Sequence, residues 1–325
     1  TYLMKKFDFK SLYKSSAIAS FVSGVFSIYL VSISYGIWSV VVFQLLRAVI
    51  YATLLWYYTK WKPLFKFSIV AFKKMWNYGN KLLLSGLLNT GYENLYILII
   101  GKLYSTKDLA LYDRANQIQL LISIQLDQII SKVSFPLIAE IQDQNKRLKI
   151  IYSKIISHSM FISIFLMMFI SSIADNLVLM ILGNAWVQSG EYLKLLCFAG
   201  MVYPLHTLNL NLLKVKGSSS LFLKLEIIKK IFALPIFYVA WKYSILYMIY
   251  SILIYNIIGF LINSYYSGSL INLNYISQIK LFLNSLSISL VIYLTVTFLL
   301  NSIILYPFIE ILLAIVIWIS FSLVL

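Results

Sequence analysis

Glu93 lies in the middle of the apolar stretch GNKLLLSGLLNTGYENLYILIIGKLYS, which is long enough to cross a bilayer. A charge at mid-bilayer costs roughly 2.5–3.5 kcal/mol, so such a carboxylate faces a bundle interior or a hydrated cavity, where it can change charge by binding a proton or a sodium ion. Ser85, Gly86, Asn89, Thr90 and Tyr96 share its helical face. After the polar turn TKDLALYDRA, the next apolar stretch carries Arg114, Gln117, Gln125, Gln128, Ser131 and Lys132 within about 60° of one line, with Asp127 about 100° away. A stripe of this kind suits the lining of a hydrated cavity inside a membrane bundle. Arg47, flanked by Gln44 and Tyr51, is another intramembrane cation, and Gly200, Tyr203, Pro204, Thr207, Asn211 and Lys214 align on a further helix.

Each constellation has a plainer explanation. Polar stripes also glue membrane helices together, at about 0.6 kcal/mol per contact. Glu93 is open to either a functional role or a structural ion pair. His158 and His206 have no nearby carboxylate or cysteine partner in the sequence and read as structural. Glu226 reaches Lys229 and Lys230 at i+3 and i+4, which reads as an interfacial pair.

The elements that hold these residues are membrane helices. The 325 residues are 61% hydrophobic and only 12% charged, with mean hydropathy +0.86, against about 25% charged in soluble domains. Ten apolar segments approach the length of a span: 13–33, 36–58, 80–101, 115–138, 155–182, 193–213, 219–240, 243–265, 280–300 and 303–325. The fifth is long enough to include a short re-entrant end near Gly183, and Pro204 is expected to kink the sixth. Between 59 and 81, Phe65, Phe67, Phe72 and Trp76 interleave with lysines, as in an amphipathic segment lying at the interface.

Five alternate segments (1–14, 59–81, 141–154, 214–230 and 266–280) hold 20 of the 27 basic residues, and the intervening loops hold five. This asymmetry places those five segments on the cytoplasmic side and assigns the net charge of +16 to topology and anionic lipid headgroups, not to nucleic acid. One cysteine, Cys197, and two histidines leave no disulfide framework or Cys/His zinc cluster. HExxH, Walker and GxGxxG patterns are absent, so no metal or cofactor is expected. No cleavable signal peptide is expected, and the opening Thr1 suggests a fragment.

Several stretches resemble the bacterial polysaccharide exporters, the O-antigen-flippase-like branch of the multidrug/oligosaccharidyl-lipid/polysaccharide superfamily. They are FDFKSLYKSSAIAS, YGIWSVVVFQLL, NLYILIIGKLYSTKDLALYDRA, VSFPLIAEIQDQNKRLKIIYSK and LGNAWVQSGEYLKLLCFAGMVYPLHTLNLNLLKVKGSSSLFLKLEIIKK. Ala110, where glycine is usual, and Glu93, where an uncharged polar residue is usual, depart from the pattern. The resemblance implies an all-α, polytopic bundle of about ten spans, a MATE-like two-lobe fold lacking its first four helices. Residues 1–63 would be a remnant of the first lobe, 64–275 the six-helix second lobe, and 276–325 a terminal pair.

It also implies a flippase for polyprenyl-diphosphate-linked repeat units in the bacterial inner membrane, serving O-antigen, capsule or exopolysaccharide synthesis beside polymerases and glycosyltransferases. Arg47, Arg114, Lys132 and Lys81 would then serve the diphosphate. Gln44, Asn89, Gln117, Gln125, Gln128, Thr207 and Asn211 would line the cavity, and Glu93 would couple transport to an ion and pair with Arg47 in the empty state. A drug exporter of the same superfamily is the first alternative. A polytopic polymerase or ligase is the second, and it needs acid/base residues that the outer loops supply only as Asp108, Asp113, Asp175 and Glu191.

Overall fold

The computed structural model describes residues 8–59, 67–302 and 306–324, and every regular element among them is helical. The chain divides into two compact units, Thr1–Ile69 and Val70–Leu325. In the first, α1 (Phe9–Ser32) and α2 (Trp38–Thr59) form a hairpin. Asp8 caps α1 by accepting from the Ser11 backbone N–H at 3.1 Å and from its hydroxyl at 2.7 Å. Ser15, Ala19, Ser23 and Leu30 form the buried stripe of α1, small side chains that let two membrane helices approach. The Ser27 hydroxyl donates across the hairpin to the Ser39 carbonyl at 3.0 Å. The turn between the helices places Gly36 at φ +55°, in the left-handed region.

The second unit begins with α3 (Ile69–Leu103) and α4 (Thr106–Glu140), joined at a capping box in which Ser105 and Asp108 satisfy each other's backbone N–H groups. There follow α5 (Asn145–Ser172), the short α6 (Ala174–Leu182), a 3-10 turn, α7 (Gln188–Gly200), α8 (Tyr203–Val215), α9 (Ser219–Trp241), α10 (Ile245–Leu270), α11 (Tyr275–Ser302) and α12 (Pro307–Val324). The core gathers Tyr152, Met160, Ile164 and Met167 of α5, Leu193 and Leu196 of α7, Leu205 and Leu208 of α8, and Met248 of α10. Trp318 of α12 meets Phe165 and Phe169 of α5 edge to face, with centroids 4.6 and 5.9 Å apart. Leu87, Leu98 and Ile129 point outward, as side chains bathed in lipid do.

Seven helical stretches among the described residues are long and apolar enough to cross a membrane: α1, α2, α4, α5, the stretch α7 to α8, α10 and α11. The chain is a multi-pass membrane protein. The expected spans at 80–101 and 219–240 are helical as α3 and α9, but Asn89, Glu93 and Asn94 in one and Glu226, Lys229 and Lys230 in the other dilute their apolarity. The described apolar run of α12, Pro307–Phe321, is shorter.

Three local expectations change. Residues 69–79 are not a separate interfacial element but the first three turns of α3, with the exposed Phe72 and Trp76 rings stacked at 5.9 Å. The long fifth segment breaks at Ile173 into α5 and α6, and Gly183, at φ +86°, ends α6 in a conformation that glycine adopts without a steric penalty. Pro204 does not bend a continuous helix. The chain leaves helix after Gly200 and restarts with Pro204 in the first turn of α8, where no N–H is needed.

Candidate functional site

Inside the second unit lies a cavity of about 280 Å3 walled by α3, α4, α7, α8, α9 and α10. Tyrosines 92, 112, 203 and 255 supply aromatic faces and hydroxyls; Asn89, Asn94, Asn116, Asn256 and Gln119 supply amides. Lys230 brings an ammonium group. Its Nζ donates to Asn89 Oδ1 at 2.9 Å and to the Tyr255 hydroxyl at 2.5 Å. The same atom sits 4.2 Å from the Tyr92 ring centre and 4.8 Å from that of Tyr255. Amide dipoles and two π faces thus stabilise a cation away from bulk water.

Small residues make room for this arrangement. Gly200 packs against the Gln119 side chain, where a β-carbon would collide with Nε2, and Gln119 donates onward to Ser123 at 2.5 Å. Asn256 donates to the Ala199 carbonyl at 2.9 Å, in the last turn of α7. The free carbonyls of a helix end are satisfied here by a side chain of the cavity wall.

The sequence-predicted residues fall into four groups. Arg47 and Gln44 are exposed on α2, in the first unit. Arg114, Gln117, Gln125, Gln128 and Lys132 form an exposed face of α4, where Arg114 donates to Gln117 at 3.0 Å and Gln117 to Asp113 at 2.7 Å. The α4 residues that line the cavity, Asn116 and Gln119 among them, occupy another face. Thr207 bonds to Asp127, and Asn211 donates to Ser131 at 3.1 Å, so both are engaged in the α4–α8 contact and neither lines this cavity. Of the predicted set, Asn89 alone lines it; the Glu93 side chain lies outside the described residues.

Lys230 itself is a correction. Glu226 pairs with Lys229, at 2.5 Å, and both side chains are nearly inaccessible, 5% and 6% exposed, so the pair is buried among the helices. Lys230, about 100° further round α9, turns to the cavity instead. A usable signal was present: Tyr255–Asn256 interrupts an apolar span just as Asn89 and Tyr92 interrupt another. Among the described residues, no group of three or more His, Cys, Asp or Glu is placed to hold a metal.

Residues 1–191 match the family described as Polysaccharide biosynthesis protein. Over 275 residues the chain is 24% identical to the teichuronic acid biosynthesis protein TuaB of Bacillus subtilis (strain 168), covering 84% of this chain and 57% of that one. It is 23% identical over 175 residues to the lipopolysaccharide biosynthesis protein WzxC of Escherichia coli (strain K12), covering 54% and 36%. Among solved structures, the lipid II flippase MurJ in an inward closed conformation has the same fold, with a TM-score of 0.62 at 17% identity over 94% of this chain and 66% of that one. The chain spans about half the length, or less, of these two curated relatives.

Proposed function

Because the chain belongs to the polysaccharide biosynthesis protein family, we propose that it serves, within the complete protein, to flip lipid-linked oligosaccharide. The substrate would be a polyprenyl-diphosphate-bound repeat unit, carried from the cytoplasmic to the outer leaflet of the bacterial inner membrane. The observation that carries this is the Lys230 cavity: an ammonium, four tyrosines and five amides lining one pocket of a helix bundle built for lipid. A diphosphate and its sugars cannot cross hydrocarbon unaided, and they need cationic and neutral hydrogen-bonding groups along a hydrated path. Typical drug-sized pockets hold about 300–1,000 Å3, so this cavity suits one sugar ring or phosphate at a time. The exposed stripe of α4 would extend the path, and Glu93 would couple it to an ion.

On this proposal 1–63 completes one lobe, 64–275 forms the second and 276–325 a terminal pair, and the lobes rock about the site. Polymerases and glycosyltransferases would act before and after it. Transport is favoured over glycosyl-transfer chemistry because three of the four outer-loop carboxylates have structural work. Asp108 caps α4, Asp113 accepts from Gln117, and Asp175 pairs with Lys194. The test is flipping of a fluorescent lipid-linked sugar in proteoliposomes containing the full-length protein. Lys230→Met should slow flipping at least tenfold at normal abundance, and Lys230→Arg should retain part of it. Wild-type rates in Lys230→Met would remove the cavity from the path.

A further inference from the structure

A second polar cluster lies where α4 meets α8, outside the cavity. Asp127 is on α4, 13 residues before its end at Glu140, about 20 Å along the axis. The Thr207 side chain of α8 bonds to the carboxylate, while Oδ1 is buried and finds no hydrogen-bond partner among the described residues. One turn further on, Asn211 donates to Ser131, and Lys214 Nζ donates to Asn211 Oδ1 at 3.4 Å. The Lys214 ammonium acts electrostatically on Asp127 and also on Glu226 of α9.

Glu226 repeats the pattern seen at Asp127. One oxygen accepts from Lys229, and Oε2 is buried without a partner among the described residues. The Lys214 ammonium reaches Asn211 on one side and lies 5.4 Å from the Phe222 ring centre of α9, one turn before Glu226, on the other, and each of the two carboxylates has an oxygen without a partner among the described residues. A buried acceptor left unmade is costly, and the cost is relieved by a proton or by a closer cation.

We propose that Asp127 is a proton-binding site that controls where Lys214 is held. With Asp127 ionised, Lys214 is drawn toward α4. When Oδ1 takes up a proton from water, the carboxylate loses its charge and the attraction on Lys214 shifts to Glu226 on α9. The Lys214 carbonyl accepts from the Tyr78 hydroxyl of α3 at 3.0 Å, so the end of α8 that carries this lysine is tied to the helix that presents Asn89 and Tyr92 to the cavity. The charged and titratable groups on the helices that meet here include Lys214 and His206 of α8, Glu226, Lys229 and Lys230 of α9, Lys132 of α4, Tyr152 of α5 and Tyr78 of α3. His206 Nδ1 lies against Asn263 Nδ2 at 3.1 Å, and Tyr152 donates to Asn209 at 2.8 Å, so both are held in place by neutral partners.

The coupling role of this site rests on transport as the function, but its protonation does not, and two measurements keep them apart. The first is infrared difference titration of protonated carboxyl groups in the full-length protein, with no substrate. One titrating carboxyl signal should vanish in Asp127→Asn and persist in Asp127→Glu. In Lys214→Met its midpoint should move up by at least one pH unit, a tenfold change in proton affinity, because no ammonium then favours the ionised form; Lys214→Arg should leave it near the wild-type value. An unchanged signal in Asp127→Asn, or an unmoved midpoint in Lys214→Met, overturns the proposal.

The second is the pH dependence of flipping, which Asp127→Asn should abolish at normal abundance. If that variant keeps the pH dependence and Glu93→Gln loses it, the coupling role of Asp127 is overturned. A normal titration in a protein that flips nothing supports the proton site and overturns the transport function.

Discussion

Removing the ammonium of Lys229 is a sharp perturbation of the second unit. Lys229 and Glu226 are both buried, and one ion pair at 2.5 Å joins them. In Lys229→Met the apolar stem is kept, but Glu226 is left with both oxygens short of a close partner, since Oε2 already lacks one. Breaking a buried pair from one side costs about 3–5 kcal/mol in proteins generally, and an uncompensated charge in a membrane helix costs roughly 2.5–3.5 kcal/mol. The more distant Lys214 and protonation of Glu226 both relieve part of this, so the expected loss is about 3 kcal/mol, on the order of 100-fold in the folding equilibrium.

Replacing both partners, as Glu226→Gln with Lys229→Met, removes the charges together and should recover most of that loss, because shape-matched neutral pairs are often as stable as the ion pair they replace. The assay is reversible denaturant titration in mixed micelles, run as a double-mutant cycle. A loss below about 1 kcal/mol in Lys229→Met, a value usual for exposed pairs, would refute the burial argument. A double variant no better than the single would refute the charge argument.

The remaining predictions are briefer. Cysteines placed at Lys146 or Lys216 should react with impermeant reagent only from the cytoplasmic side and those at Asp108 or Glu191 only from outside, with the buried Cys197 contributing little background; the reverse pattern would invert the topology. Gly200→Val should destabilise the protein by about 1–3 kcal/mol, because its β-carbon meets Gln119, and Gln119→Ala should rescue it in the same denaturant titration. Arg114→Ala and Gln128→Leu, on the exposed face of α4, should change stability by no more than about 0.5 kcal/mol while lowering export; loss of folded protein instead would make that face structural. The Asp8 carboxyl is held below its ordinary value by the Ser11 hydroxyl and backbone N–H. Its cap should therefore be intact above the unfolded value of about 3.9 and be lost as pH falls through the lower folded value. Amide exchange in the first turn of α1 should report this, and equal exchange in Ser11→Ala would count against it.

Composition made the membrane bundle legible because a span must satisfy its own backbone, so apolar length alone marks it. Boundaries were less legible where the chain breaks between helices. In SSIADNLVLM the polar residues Ser171, Ser172, Asp175 and Asn176 flank Ile173, but apolar residues resume at once on either side, so the break between α5 and α6 is brief in the sequence. The Ser105–Asp108 capping box starts α4 at Thr106, so TKDLALYDRA, expected as a polar turn before a span at 115–138, is instead the first turns of that helix.

The polar residues show why periodicity finds a face but not its neighbour. On α4 the most conspicuous stripe, from Arg114 to Lys132, is exposed in this chain, while Asn116 and Gln119 on another face line the cavity and Asp127 and Ser131 bind α8. Helical spacing assigns each residue an angle and leaves open which angle meets which helix. On α9 the ambiguity is sharper still. Lys229 and Lys230 both lie within reach of Glu226 along the helix, and the packing of neighbouring helices, α10 among them, decides between them. Gly259 leaves room beside His206 and the Lys229 stem, so Lys229 stays inside with Glu226, and Tyr255, four residues earlier on α10, draws Lys230 to the cavity. One glycine and one tyrosine on a neighbouring helix thus assign two adjacent lysines to different tasks, and a charge pattern read along α9 alone contains neither.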